Sequence, residues 1–171
     1  MEQYNFSLLA KYNKAANEKM NNIVKTISEE EWNKPFKGYF KSIHELCSHI
    51  FIADYNWLNR FKKLRKFDSL DENYFNKKYS FQETLFLTID EYISKRTELD
   101  TIIISFIKEI TVEDINKILE YKNTEEKTFE KRMEGLIMHM FNHEAHHRAM
   151  ISVYLEMIGK ENDYNNILPL I

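Results

Sequence analysis

Residues that break regular structure are rare in this chain: three glycines and two prolines in 171 residues. Few strand-turn signals remain, so a mostly helical protein is expected. Cysteine is scarcer still. Cys47 stands alone and can form no internal disulfide, and Glu2, Asn5, Lys11 and Lys14 interrupt the apolar core that a signal peptide needs. The expected location is therefore a reducing cytoplasm. An excess of positive charge is also missing. Twenty-four Lys and Arg against 27 Asp and Glu give −3, so no overall basic field exists to hold nucleic acid or an anionic membrane, and neither is an expected partner. Long apolar runs are absent too: the stretches Thr101 to Ile107 and Ile50 to Ala53 fall far short of the roughly 20 residues of a membrane span.

What is present is enough for one core. Hydrophobic residues make up 43% and aromatics 14%, with no Pro/Gly/Ser-rich linker, so residues 1–171 read as a single domain. Leu8, Leu9, Tyr12, Ala16, Met20, Ile23 and Ile27 recur at helical spacing and predict a first helix over roughly residues 4–27. Ser28 with Glu31 forms a capping-box pattern for a short turn that Pro35 and Gly38 end. Ser42 with Glu45 opens a second long helix, whose stripe of Ile43, Leu46, Ile50, Trp57 and Phe61 carries it to about residue 66. After a polar loop, Ser80 with Glu83 predicts the start of a third helix that turns Leu85, Ile89, Tyr92, Ile93, Leu99 and Ile103 inward. Residues 112–129 alternate around Ile118 to Tyr121 and Thr128 to Phe129, with Asn123 and Thr124 between, which suits either a short β-hairpin or a frayed helical connection. From about residue 130 the helical period resumes and stops at Gly159, and a tail is expected to pack along the surface through Ile167, Leu168 and Leu170. Four long helices with connections of moderate length predict an all-α four-helix bundle.

The chemistry signal is histidine. Four of the six, His139, His143, His146 and His147, fall within nine residues of the last helix. At about 100° per residue, Leu136, Met140, His143, His147, Tyr154 and Ile158 share one narrow sector, so two imidazoles are set into the stripe that faces the core, with His139 and His146 at its edge. A single histidine on an apolar face is usually a hydrogen-bonded core residue. An inward i, i+4 pair instead points its nitrogens at a common locus, as a divalent metal requires. Two ligands do not complete a site, and the remaining histidines are His44 and His49 on the second helix. His49 is the better third ligand because it lies mid-helix, although it projects about 100° from that helix's apolar stripe, toward the rim. Asp54 falls within the stripe. Such a carboxylate needs a partner, whether a ligand histidine, an arginine or a neighbouring backbone.

His143-Glu144-Ala145-His146-His147 also matches H-E-x-x-H, the zinc-peptidase signature. Met150 and Val153 stand where a metzincin continuation needs glycine and histidine, and no sheet is expected before the helix, so Glu144 reads as a helix-surface residue. Tyr55, Phe51 and Leu58, off the main stripe of the second helix, are candidates for a dimer face.

Three segments in order resemble the DinB-like (DinB/YfiT-like) four-helix metal-binding proteins. Tyr12-Asn13-Lys14-Ala15-Ala16-Asn17 is similar to the family's Y-N-x-W-A-N segment, with Ala15 where tryptophan is common. Ser42-Ile43, His49-Ile50, Asp54 and Trp57 resemble its S-I...H-I...D-x-x-W helix. Leu136 to His139, Asn142-His143 and His146-His147-Arg148 resemble its last element, although Ala149-Met150 replaces the usual Gly-Gln and Glu125-Glu126 stands near a frequent glycine turn. The resemblance implies a bundle holding a divalent metal, zinc or nickel, through His49, His143 and His147. It also implies a bacterial intracellular protein, commonly a homodimer, from a family named for damage-inducible expression. Members of the wider superfamily include transferases and isomerases that use low-molecular-weight thiols. The expectation is thus a metal-dependent enzyme activating a small thiol or water, a thiol S-transferase first, with a hydrolase or a binding module without turnover as alternatives. Asn142, Arg148 and Tyr154 are candidates to assist beside the metal, against plain roles in packing or on the helix surface.

Overall fold

Helix α1 (Glu2–Val24) forms where the sequence period predicts it, ending three residues early. It buries Phe6, Ala10, Ala16, Met20 and Val24, and with them three asparagines at i, i+4 spacing, Asn13, Asn17 and Asn21. The computed structural model describes residues 2–123 and 125–171; Thr124, expected between two candidate strands, lies outside the described residues. Ser28 and Glu31 make the expected reciprocal capping box at the short helix α2 (Glu29–Trp32).

Helix α3 (Ile43–Phe61) is capped by the Ser42 hydroxyl, which accepts from the Glu45 amide. It stops before the expected residue 66, because its last carbonyls close tight turns to Lys62, Lys63 and Leu64 and the chain then swings Arg65 onto Asp114. Nearly its whole circumference is covered. The long connection that follows lays Phe67, Leu70 and Phe75 against it, and Tyr55 Oη donates to the Tyr74 carbonyl at 2.7 Å. Phe51, Tyr55 and Leu58 are therefore 3%, 2% and 0% exposed, and the dimer face proposed on them does not exist at the surface.

The third long helix, α4 (Ile89–Glu109), begins eight residues later than the Ser80–Glu83 signature suggests. That pair closes only an isolated turn, with the Ser80 amide donating to Glu83 Oε1 and the Glu83 amide to the Ser80 carbonyl. Leu85 cannot enter a helix, since its amide donates to Ser48 Oγ and its carbonyl accepts from Ser48 and faces His44 Nε2. Phe86 then takes a positive φ of 68°, and Thr88, accepting from the Glu91 amide, is the real N-cap.

Helix α5 (Val112–Asn116) leads into an antiparallel hairpin, β1 (Ile118–Lys122) and β2 (Thr128–Arg132), in the register Ile118 to Arg132 and Leu119 to Lys131. The hairpin alternative is thus the one realised, and α6 (Met133–Met157) starts only after β2. Gly159 ends the last helix at φ +80°, where a side chain would be strained. The tail is held through Tyr164, 2% exposed, whose hydroxyl donates to the Arg148 carbonyl, while Leu168 and Leu170 remain exposed.

The four long helices close a ring in the order α1, α4, α3, α6, with α1 packed mainly on α4 and α3 on α6. Two apolar clusters fill its ends, one around Phe61, Phe106 and Met140 and the other around Met20, Leu46 and Leu155. Between them runs a buried polar layer: Asn13 and Asn17 from α1, Asp54 from α3, Arg96 and Asp100 from α4, Glu144 and Arg148 from α6.

Candidate metal centre

His49 on α3 and His143 and His147 on α6 meet at the level of the polar layer, because these two helices pack along their length. One ring nitrogen from each lies within 4.8 Å of the other two. His49 Nε2 and His143 Nε2 are 3.2 Å apart. Nitrogens held about 2.0–2.1 Å from one ion stand about 2.8–3.0 Å apart in octahedral and about 3.3–3.4 Å apart in tetrahedral arrangement, so this pair has close to the spacing of two ligands and the third ring needs only a small approach. His49 and His143 are half-buried and His147 is 9% exposed, which leaves the cluster reachable from the rim, as His49's position off its apolar stripe predicts.

All three rings are held neutral. Burial lowers His49 to about 4, opposed by the facing backbone of Phe81. Burial and then the neighbouring imidazoles lower His143 to about 3, and burial with His49 and His146 lowers His147 to about 4. The buried Nδ1 atoms of His143 and His147 have no hydrogen-bond partner among the described residues. Three neutral imidazoles with little hydrogen bonding of their own and converging lone pairs fit a divalent cation.

The surroundings are aromatic. Phe40 lies 4.6 Å from the His49 ring and 5.3 Å, edge-on, from His147, and Phe81 lies 5.8 Å from His49. Tyr154 supports this wall from behind, stacked on Phe36 at 4.1 Å with its hydroxyl donating to the Phe40 carbonyl at 2.8 Å, so its role is packing. Gly38 makes room for that hydroxyl, since a Cβ there would sit 2.0 Å from it. His139 and His146 are exposed at the edge, their rings 5.8 Å from His143 and 4.9 Å from His147. Asn142 is exposed and lies on the α1-facing side of α6 with Leu9 and Tyr12. His44 does not join the cluster; it stacks on Trp32 at 5.1 Å and its nitrogens face Asn33 and the Leu85 carbonyl.

Two expectations about carboxylates are resolved by the polar layer. Asp54 pairs with an arginine: Arg96 donates to it at 2.9 Å and to Asp100 at 2.7 Å. Glu144 is not a surface residue. It is 0% exposed, with Arg96 at 3.8 Å and Arg148 at 3.5 Å, because its position one residue after His143 turns it toward α4 and α1. Flanked by two guanidinium groups, it is no peptidase base. Arg148 is likewise buried, donating to Asn13 and Asn17. Asn17 also donates to Asp100 at 2.9 Å, so the layer joins all four helices. The sequence reading missed Arg96, Asp100, Asn13 and Asn17 as members of this layer. Their only local signal is an Arg and Asp at i, i+4 and an asparagine at the same spacing on α1.

A helical bundle with three imidazoles converging from two facing helices has the donor arrangement that could hold a metal ion. The DinB family model matches residues 1–167, and the chain belongs to the DinB family. Protein DinB of Bacillus subtilis (strain 168) is 26% identical over 165 residues, spanning 93% of this chain and 88% of that protein. Among solved structures, a DinB-like protein of Bacillus subtilis, YjoA, superposes with a TM-score of 0.64 at 14% identity, covering 91% of this chain and 96% of that one. Bacillus subtilis YfiT, described as a probable metal-dependent hydrolase with an unusual four-helix bundle topology, gives 0.61 at 14% identity over 88% and 86%. These structural likenesses establish the fold.

Proposed function

We propose that the protein is a metal-dependent enzyme in which His49, His143 and His147 hold a divalent ion, zinc or nickel, and a small thiol is the nucleophile. The observation that carries this reading is the convergence of three neutral imidazoles with no carboxylate in the cluster. A divalent ion held there supplies Lewis acidity and makes a coordinated thiol or water far more acidic. The protein's own contribution to deprotonation is small: Asp54 and Glu144 are turned into the polar layer beside Arg96. His139, at the exposed edge with its pKa lowered by partial burial of the ring and by the charge of Arg60, is positioned to take a proton there. A thiol, with an ordinary pKa of about 8.5, needs far less help than water at about 15.7. Phe40 and Phe81 keep the nucleophile's surroundings apolar.

The test is turnover of monochlorobimane by metal-loaded protein with and without bacillithiol or another cellular thiol, alongside elemental analysis of the native protein. Thiol-dependent turnover lost in His49→Ala supports the transferase. Turnover that needs no thiol replaces it with the hydrolase reading, which the description of YfiT favours. A fully occupied ion that admits neither nucleophile leaves a binding module. Within this proposal the enzyme works in the bacterial cytoplasm as a homodimer, which light scattering would report as twice the 20.7 kDa of one chain.

A further inference from the structure

Arg60 is the unusual charge of this molecule. It is half-buried and stacked, its guanidinium carbon 4.6 Å from the centre of the Trp57 ring and 5.5 Å from that of Tyr121. Burial lowers its pKa, so its charge is poorly solvated where it stands. Arg65, Arg96 and Arg148 each have carboxylates beside them, whereas Arg60 has no carboxylate partner among the described residues, and its one hydrogen bond is a long one of 3.5 Å to the Lys122 carbonyl. A planar cation with five donors, fixed between two aromatic faces and left without an anion, is an incomplete pair.

Its location gives that gap a use. Trp57 lies 5.5 Å from His139, edge-on, and His139 lies 5.8 Å from His143, so a continuous line of rings runs from the metal cluster to Arg60. His49 and Arg60 are eleven residues apart on α3, which returns them to the same face about 16 Å apart along the axis. The guanidinium leans back over Trp57 and shortens that span. Tyr121 belongs to β1, so the hairpin that precedes α6 supplies the outer wall.

We propose that Arg60, on its Trp57–Tyr121 platform with His139 beside it, binds an anionic group, a carboxylate or phosphate, at the far end of an elongated small-molecule substrate whose reactive end sits at the histidine cluster. This rests on the proposed function for the reactive end only. The substrates selected are then small thiols, or their reaction partners, that carry negative charge away from the reacting atom, at a distance shorter than the about 16 Å of helix rise between His49 and Arg60.

Two titrations test it. In the first, cobalt-loaded protein is titrated with glutathione and with glutathione diethyl ester, which share thiol and length and differ in carboxylate charge. Wild type is expected to bind the free acid about tenfold more tightly, the worth of one charged hydrogen-bonded pair. Arg60→Gln should reduce the ratio to about one with cobalt content and ester affinity unchanged, and Arg60→Lys should restore part of it. In the second, metal-free protein is titrated with S-methylglutathione, which has no free thiol, and Trp57 emission is followed. A saturable, salt-sensitive change that Arg60→Gln abolishes supports the subsite even where the cobalt spectrum ignores both thiols, in which case the thiol chemistry alone fails. A free-acid preference that survives in Arg60→Gln, or no preference in wild type together with no emission change, overturns the subsite and leaves the metal centre standing.

Discussion

Replacing Arg96 by methionine removes the centre of the polar layer while nearly preserving volume. Arg96 is fully buried and faces Asp54 at 2.9 Å, Asp100 at 2.7 Å and Glu144 at 3.8 Å. Its loss leaves Arg148 against three carboxylates, and breaking a buried pair in this way costs about 3–5 kcal/mol. For a chain of this size each kcal/mol moves Tm by about 2–4 °C, so a fall of about 6–20 °C is expected in a circular-dichroism melt. The loss should also depend on pH. Burial raises the Asp54 carboxyl and pushes Asp100 up to about 6 even with Arg96 in place, and without the guanidinium both rise further. A carboxyl whose folded pKa exceeds its unfolded value favours folding below the unfolded value, near 3.9, and that advantage is lost as pH rises through the folded value. Arg96→Met should therefore lose more stability relative to wild type at pH 8 than at pH 5. Adding Asp54→Asn and Asp100→Asn should recover much of the deficit. A Tm change under about 3 °C, or a deficit as large at pH 5 as at pH 8, would refute the account of this layer as a charge cluster anchored by Arg96.

Further outcomes follow from the same geometry. Each of His49→Ala, His143→Ala and His147→Ala should drop the metal content below roughly 0.1 per chain with unchanged helicity, and metal at 100-fold its Kd should stabilise wild type by about 2.7 kcal/mol, or about 5–11 °C, an increment that chelator removes. Because burial lowers His49, His143 and His147 to between about 3 and 4, equilibrium dialysis should show metal retained from pH 7 to about 5 and released near pH 4. The metal-free protein should lose stability as pH falls from about 6.5 toward 4, since only its unfolded state takes up those protons in that window. Asp114→Asn removes the carboxylate that Arg65 grips at 2.9 and 3.1 Å, at a cost of about 1.5–3 kcal/mol at pH 7. Hydrogen bonds from Arg65 hold that carboxyl well below the usual range, so the wild-type advantage should persist at pH 5 and shrink only as pH falls below about 4.

Much of the architecture is legible locally. Ser42, Ser28 and Gly159 mark helix ends with chemistry that depends on only a few neighbouring residues, and the positions of His143 and His147 on one face follow from helical period alone. The Ser80–Glu83 pair carries the same local signal, yet Leu85 is tied to Ser48 on another helix and the turn never propagates. Phe51, Tyr55 and Leu58 look free on an isolated helix, and a connection folding back from residues 67–86 covers them. Glu144 looks like a surface charge by its flanks, and what reverses that reading is Arg96, 48 positions away in the chain.

The sequence by itself determined that this chain is a helical bundle and that two histidines share the inward face of its last helix, because periodicity and capping are properties of adjacent turns. Position along the second helix favours His49 over His44 as the third member of the cluster, but periodicity alone could not bring it to the other two. The packing of α3 against α6 brings His49 Nε2 to His143, 94 residues apart, and turns His44 to Trp32 instead. The same packing decides that Asp54 and Glu144 serve the interior and that Arg60 stands without a carboxylate partner among the described residues. Such pairings depend on distances across the bundle, which local periodicity does not encode.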